Sequence, residues 1–129
     1  MVKKTITYTD FNGVERTEDF YFNLTEAELT EMNLGVEGGM KELLEKIIAE
    51  KDQKQIIEYF KKIVLMSYGE KSSDGRRFTK SEEIRNGFAP TEAYSKIFME
   101  LASDSNAAAE FVNGIIPRNL TKQIPDSNN

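Results

Sequence analysis

The sequence predicts an α+β domain, mostly α-helical, with an N-terminal β-hairpin followed by about five or six helices in a small bundle. Three observations carry this. Threonines alternate with apolar residues only within residues 1–22. From residue 25 onward the apolar residues recur at helical spacing. Two Thr-x-x-Glu pairs, Thr25/Glu28 and Thr79/Glu82, have the pattern of reciprocal helix caps. At 129 residues the chain has the size of one domain, able to bury about two thirds of its unfolded surface. We assign residues 1–117 to that domain and 118–129 to a flexible polar tail.

In "KKTITYTDFNGVERTEDFYF" the turn signal is Asn12-Gly13. Parity selects the turn. A two-residue turn would set Ile6 and Tyr8 on the opposite face from Phe20 and Phe22. A three-residue loop, Phe11-Asn12-Gly13, pairs Tyr8 with Arg16 and Lys4 with Phe20, and gathers all four apolar residues on one face. Gly13 then takes the left-handed position of a bulge. Such a face must be covered, because a lone hairpin is marginal in water.

The first helix begins at the Thr25/Glu28 box, with Leu24 and Leu29 as a hydrophobic staple, and ends at Gly35. "GVEGG" reads as a joint. "MKELLEKIIAEK" reads as a second helix with Met40, Leu43, Leu44, Ile47 and Ile48 on one face. Asp52 would cap a third, "QKQIIEYFKKIVLMSY", closed by Gly69. Its apolar positions Ile56, Ile57, Tyr59, Phe60, Ile63, Val64 and Leu65 cover much of the circumference, which predicts the most buried helix. Thr79/Glu82 would start a short helix running to about Gly87. Pro90 suits the first turn of "PTEAYSKIFMELASD". Ser105 would cap "NAAAEFVNG", with Gly114 as its stop.

Net charge is −5, distributed as −6 over residues 1–52, +4 over 53–80 and −3 over 81–129. An acidic chain with one basic stretch argues against general nucleic-acid affinity and permits head-to-tail electrostatic pairing between copies, although uneven charge is usually only a solvated surface. The chain has no Cys and no His, which removes disulfides, thiolate nucleophiles, imidazole catalysis and most zinc chemistry. No cofactor or metal is expected. The N-terminus lacks the apolar run of a signal peptide, and no stretch approaches the roughly 18 apolar residues of a membrane helix. These features predict a soluble intracellular protein with no membrane partner.

"SYGEKSSDGRRFTKS", residues 67–81, is glycine-punctuated and basic. It lacks the spacing of a phosphate-binding loop and the interleaved aromatics of a single-strand binder. An Asp74-Gly75 turn in a structured connector, with Phe78 in the core, is the simpler reading. Glu82 and Glu83 have no nucleophile or orienting partner in the pattern and read as a solvated helix face. The stripe Tyr94, Ile97, Phe98 and Leu101 is either a groove for a partner helix or intramolecular core. Ala107, Ala108 and Ala109 beside Phe111 allow close helix approach. Ile115 and Ile116 follow the expected glycine stop, so they either tuck back or dock on a neighbour. Tyr94, Phe98, Leu101, Phe111, Ile115 and Ile116 are therefore the candidates for partner binding or self-assembly.

The stretches "SYGEKSSDGRRFTKSEEIRNGF" (67–88) and "TEAYSKIFMELASDSNAAAEFVNGIIP" (91–117), with the hairpin and "LTEAELTEM" before them, resemble the tail assembly chaperones of long-tailed, siphovirus-type phages of Gram-positive bacteria. The resemblance covers nearly the whole chain. It implies a non-enzymatic protein that binds the tape measure protein and keeps it soluble while tail tube subunits polymerise around it. It further implies contact with the tail tube protein, self-association into oligomers, action in the host cytoplasm, and absence from the mature virion. Many members of that family are made in two forms, the longer by a ribosomal frameshift near the end of the short frame, and the resemblance implies that the polar tail from Arg118 lies near such a site. Two rival classes stand beside it. One is a structural tube or connector subunit, which would need more strand than one hairpin supplies. The other is a small nucleic-acid-binding regulator using Arg76, Arg77 and Lys80.

Overall fold

The computed structural model describes residues 1–35 and 53–117. It is an α+β arrangement in which helices cover one face of a four-stranded antiparallel sheet, in the order β1-β2-β3-β4. The strands are β1 (Val2–Thr9), β2 (Glu15–Phe22), β3 (Tyr68–Lys71) and β4 (Phe78–Thr79). The helices are α1 (Glu26–Gly35), α2 (Gln53–Ser67), α3 (Glu82–Phe88), α4 (Glu92–Ser103) and α5 (Ser105–Ile115). The expected helix over 40–51, the joint before it, the Asp52 cap and the tail over 118–129 lie outside the described residues.

β1 and β2 pair with Tyr8 opposite Arg16 and Lys4 opposite Phe20. Gly13 has φ +81°, and its N–H donates to the Asp10 carbonyl at 2.9 Å. The Asp10 carboxylate braces the turn by accepting from the Asn12 and Val14 amides at 2.9 Å each, and from Arg16 Nε at 2.7 Å. This register puts Tyr8, Phe20 and Phe22 on the buried face, with Val2 and Ile6 packed against the same core. The other face is a polar ladder: Thr7 meets Thr17 at 2.8 Å, and Thr5 donates to Asp19 at 2.6 Å.

The basic stretch 67–81 is more than a connector. It supplies the other two strands. The helix expected to run on to Gly69 ends at Ser67, whose buried hydroxyl donates to the Val64 carbonyl at 3.1 Å. The chain then pairs Phe22 with Tyr68 and Tyr21 with Gly69. Between β3 and β4 the turn is built from Ser72 and Asp74. Gly75 (φ +75°) donates to the Ser72 carbonyl at 2.9 Å, and Asp74 accepts from Ser72 Oγ at 2.7 Å and the Arg76 amide at 3.0 Å. Phe78 does not enter the core. Its ring is only partly buried and lies over Gly69. A Cβ at Gly69 would stand 2.9 Å from that ring and 2.9 Å from the Thr79 carbonyl oxygen, which is backbone and has little freedom to yield. Gly69→Ala is expected to cost about 1–3 kcal/mol, as overpacking does. Gly87→Ala, where a Cβ meets nothing within 4 Å inside α3, is expected to gain roughly 0.5–1 kcal/mol from helix propensity. Denaturant unfolding of the two variants checks the opposite signs.

Other boundaries differ from the sequence expectation for local reasons. Thr79 belongs to β4, so Ser81 caps α3, accepting from the Ile84 amide at 3.0 Å. Pro90 precedes α4, which is capped by Thr91. Asp104, not Ser105, caps α5, accepting from the Asn106 and Ala107 amides at 2.9 and 3.3 Å. α5 runs through Gly114 to Ile115, and the missing Cβ at Gly114 leaves room for Val2 against the last turn: a Cβ there would sit 2.6 Å from Val2 Cγ2. Among the described side chains of α2, Phe60, Ile63 and Val64 are buried but Ile57 is 46% exposed, so these side chains do not show the burial around the circumference expected of the most buried helix. The central positions belong instead to Ala93, Ile97 and Leu101 of α4 and to Phe111, Val112 and Ile115 of α5.

At the start of α1 the capping box forms in full. The Thr25 amide donates to Glu28 Oε1 at 2.8 Å, and the Glu28 amide to Thr25 Oγ1 at 3.1 Å. Leu24 and Leu29 are both buried beneath it. The three distant parts of the chain meet at β2's end: the Asn23 amide donates to the Ser67 carbonyl at 2.8 Å, and the Leu24 amide to the Ile115 carbonyl at 2.7 Å.

Candidate functional site

Among the described residues, the helix-covered face of the sheet has an opening. β2 and β3 form one wall of a groove there and α3 forms the other, with a cavity volume of about 390 Å³. Strand alternation builds the floor: Phe20 from β2 and Tyr68 from β3 point to the same side, and Tyr8 adjoins them from β1. Phe88, the last residue of α3, folds back onto them. Its ring stacks on Tyr68 with centroids 3.9 Å apart at 15°, and lies 5.6 Å from Phe20. The rim is acidic. Glu18, Glu70 and Glu83 line it, and no Lys or Arg does. Tyr8 donates its hydroxyl to Glu18. That hydrogen bond, then burial and the Glu18 charge, push the Tyr8 phenol above its ordinary value. Burial, then the charges of Glu70 and Glu18, do the same to Tyr68. Both phenols therefore stay neutral hydrogen-bond donors through the physiological range. Glu18 has a distant, exposed partner in Arg16 at 3.8 Å. Among the described residues neither Glu70 nor Glu83 forms an ion pair, and no group of metal-ligating side chains comes together. Phe20, Phe88 and Tyr8 are themselves core residues, 3–9% exposed, so what the groove offers to solvent is chiefly the Tyr68 edge and the Glu70 and Glu83 carboxylates as acceptors.

The candidates read from sequence divide into two groups. Leu101, Phe111, Ile115 and Ile116 are 0–5% exposed and belong to the core of this chain. Ile116 in particular tucks back beneath the helices, so a charge there would enter the core rather than probe a surface. Tyr94 and Phe98 are only partly buried. They stack on each other with centroids 5.9 Å apart at 24°, and Tyr94 meets Phe88 edge-on at 5.5 Å, so this pair continues the aromatic surface beyond the groove. Burial raises the Tyr94 phenol as well. Glu18, Phe20, Tyr68, Glu70, Glu83 and Phe88 escaped the sequence reading as a site. The signal available was the alternation of Tyr68 and Glu70, hidden because "SYG" reads equally well as the end of a helix.

The basic residues of 67–81 do not form one patch. Lys80 turns inward: its side chain is 9% exposed, and its ammonium donates to both Glu28 oxygens at 2.8 Å and to the Asn23 carbonyl. Lys71 lies over the Tyr21 ring at 5.5 Å. Arg76 and Arg77 remain exposed on the β3–β4 turn.

The family model described as phage tail assembly chaperone matches residues 1–128. The chain belongs to that family. No curated protein and no solved structure gives a significant match. Membership in this tail assembly chaperone family implies a non-enzymatic role in building a phage tail. Among the described residues no helix is long and apolar enough to cross a membrane.

Proposed function

We propose that this chain binds the tape measure protein of a siphovirus-type phage of a Gram-positive host and keeps it soluble while tail tube subunits assemble around it. The observation that carries the reading is the family match across residues 1–128. The physics supports it. A long helical protein with apolar stripes aggregates unless those stripes are covered. A small chaperone with an exposed aromatic face covers them piecewise, each copy weakly, with avidity from its neighbours. Tyr94 and Phe98, stacked at the surface of α4, are the side chains we assign to client contact. The protein acts in the host cytoplasm and leaves before the virion matures.

Co-expression with the tape measure protein of the same phage, with the tag on this chain alone, tests the proposal. Soluble client co-eluting with the tagged chain is the expected result. An insoluble client, with this chain eluting alone, counts against it.

A further inference from the structure

We infer that the tip of the β1–β2 hairpin is a client-binding finger, whose Phe11 and Val14 side chains insert into an apolar stripe on a client helix, a stripe flanked by Lys or Arg. The inference rests on the client reading above and adds a second contact to it. The hairpin projects beyond its support. β1 and β2 stay paired as far as Thr9 and Glu15, yet from Thr9 to Thr17 every residue except Asp10 is exposed. The finger is nevertheless fixed. The Asp10 carboxylate accepts from the Asn12 and Val14 amides at 2.9 Å each and from Arg16 Nε at 2.7 Å, and the Asp10 amide donates to the Val14 carbonyl at 2.9 Å. A tip braced in this way loses little freedom on docking.

Asn12 and Gly13 meet the needs of the turn, with Gly13 at positive φ. Phe11 and Val14 bury little within the chain, being 77% and 53% exposed. Single apolar residues scattered over a surface are ordinary. Here two stand three residues apart on one rigid turn. A helix suits them as occupant, because the ridges of its side chains leave grooves that a ring can enter, and its apolar stripe recurs every three to four residues. Glu15 stands beside the tip, exposed and in no ion pair among the described residues, so cations flanking the stripe meet a complementary charge. α4 runs antiparallel to β1: Lys96 donates to the Thr7 carbonyl at 2.8 Å, and Lys4 to Glu100 at 3.0 Å. The N-terminal half of α4, which carries Tyr94, therefore lies toward the same end of the hairpin as the finger.

The test is co-expression with the tape measure protein of the same phage, with the tag on this chain alone. Phe11→Ser/Val14→Ser is expected to lower the co-eluting client at least about fivefold, as loss of an aromatic anchor does. Its circular dichroism and thermal midpoint should match the wild type, since both side chains are exposed. Phe11→Leu/Val14→Ile should retain most of the client. Glu15→Lys should lower retention at about 50 mM salt and leave it unchanged at about 500 mM. A wild type that leaves the client insoluble would sink the client reading and this inference with it. A wild type that holds the client, beside a Phe11→Ser/Val14→Ser variant that holds as much, would overturn the inference alone. A variant that keeps the client but loses association between copies, read by sedimentation velocity, would assign the tip to a second copy and overturn it too. Glu15→Lys retention equal to wild type at both salt concentrations would overturn the choice of a cationic stripe.

Discussion

Phe22→Ala is expected to remove about 3–5 kcal/mol of stability, a large share of the roughly 5–15 kcal/mol that a domain of this kind possesses. Phe22 is fully buried at the last position of β2. Its ring lies edge-on to Phe111 of α5 at 5.2 Å, 5.6 Å from Tyr68 of β3 and 6.0 Å from Phe88 of α3. It therefore joins strands and helices from three separated parts of the chain. Removing it opens a cavity whose walls belong to elements that cannot all close inward. Phe11→Ala is the internal control. Phe11 sits at the turn tip and is 77% exposed, so its loss should stay within about 0.5 kcal/mol. Thermal unfolding separates the two, at roughly 3–5 °C per kcal/mol for a chain of this size. A Phe22→Ala midpoint close to that of Phe11→Ala would mean that the aromatic cluster is not the centre of the core.

Phe11 and Phe22 look alike in composition, and parity tells them apart. Alternation places Phe22 with Ile6, Tyr8 and Phe20, whereas Phe11 falls in the loop. This is why β1, β2 and their register could be read from the sequence, along with the capping box at α1 and the apolar stripes of α4 and α5. All of these depend on signals within one element. The parts that could not be read depend on contacts distant in the chain. Tyr68–Lys71 is too short for a strand pattern and becomes a strand because Tyr21 and Phe22 offer it an edge. Gly114 looks like a helix stop, but its missing Cβ instead admits Val2 from the other end of the chain. Of the two outcomes the pattern left open for Ile115 and Ile116, both side chains tuck back into the core. The groove was hidden for the same reason, since its walls come from β2, β3 and α3 and its floor is completed only when Phe88 meets Tyr68.

Breaking the ion pair between Glu28 and Lys80 is expected to cost roughly 1–3 kcal/mol, with the larger loss when the carboxylate is the partner removed. The reason lies in burial. The Lys80 side chain is 9% exposed and that of Glu28 is 30% exposed. Glu28→Ala leaves an ammonium with little access to water, still donating to the Asn23 carbonyl. It also removes half of the Thr25 capping box. Lys80→Met leaves a carboxylate that can hydrate and still accepts from Thr25. Burial lowers the Lys80 pKa, although the Glu28 hydrogen bond and charge oppose it. For Glu28, burial raises the pKa, but the hydrogen bonds from Lys80 and Thr25 and the Lys80 charge outweigh it and hold the carboxyl below its ordinary value. Such a group contributes fully above the unfolded-state value of about 4.5 and loses its contribution as pH falls through the lower folded value. Wild type should therefore lose more stability than Glu28→Gln between about pH 5 and about pH 3, over a background common to both from Asp10, Asp19 and Asp74, whose carboxyls are also held low. A double-mutant cycle on Glu28→Gln and Lys80→Met isolates the pair, and coupling of about 1–2 kcal/mol at neutral pH that fades on acidification is expected. Strict additivity at neutral pH would show that the two side chains meet without stabilising the junction between α1 and the end of the sheet.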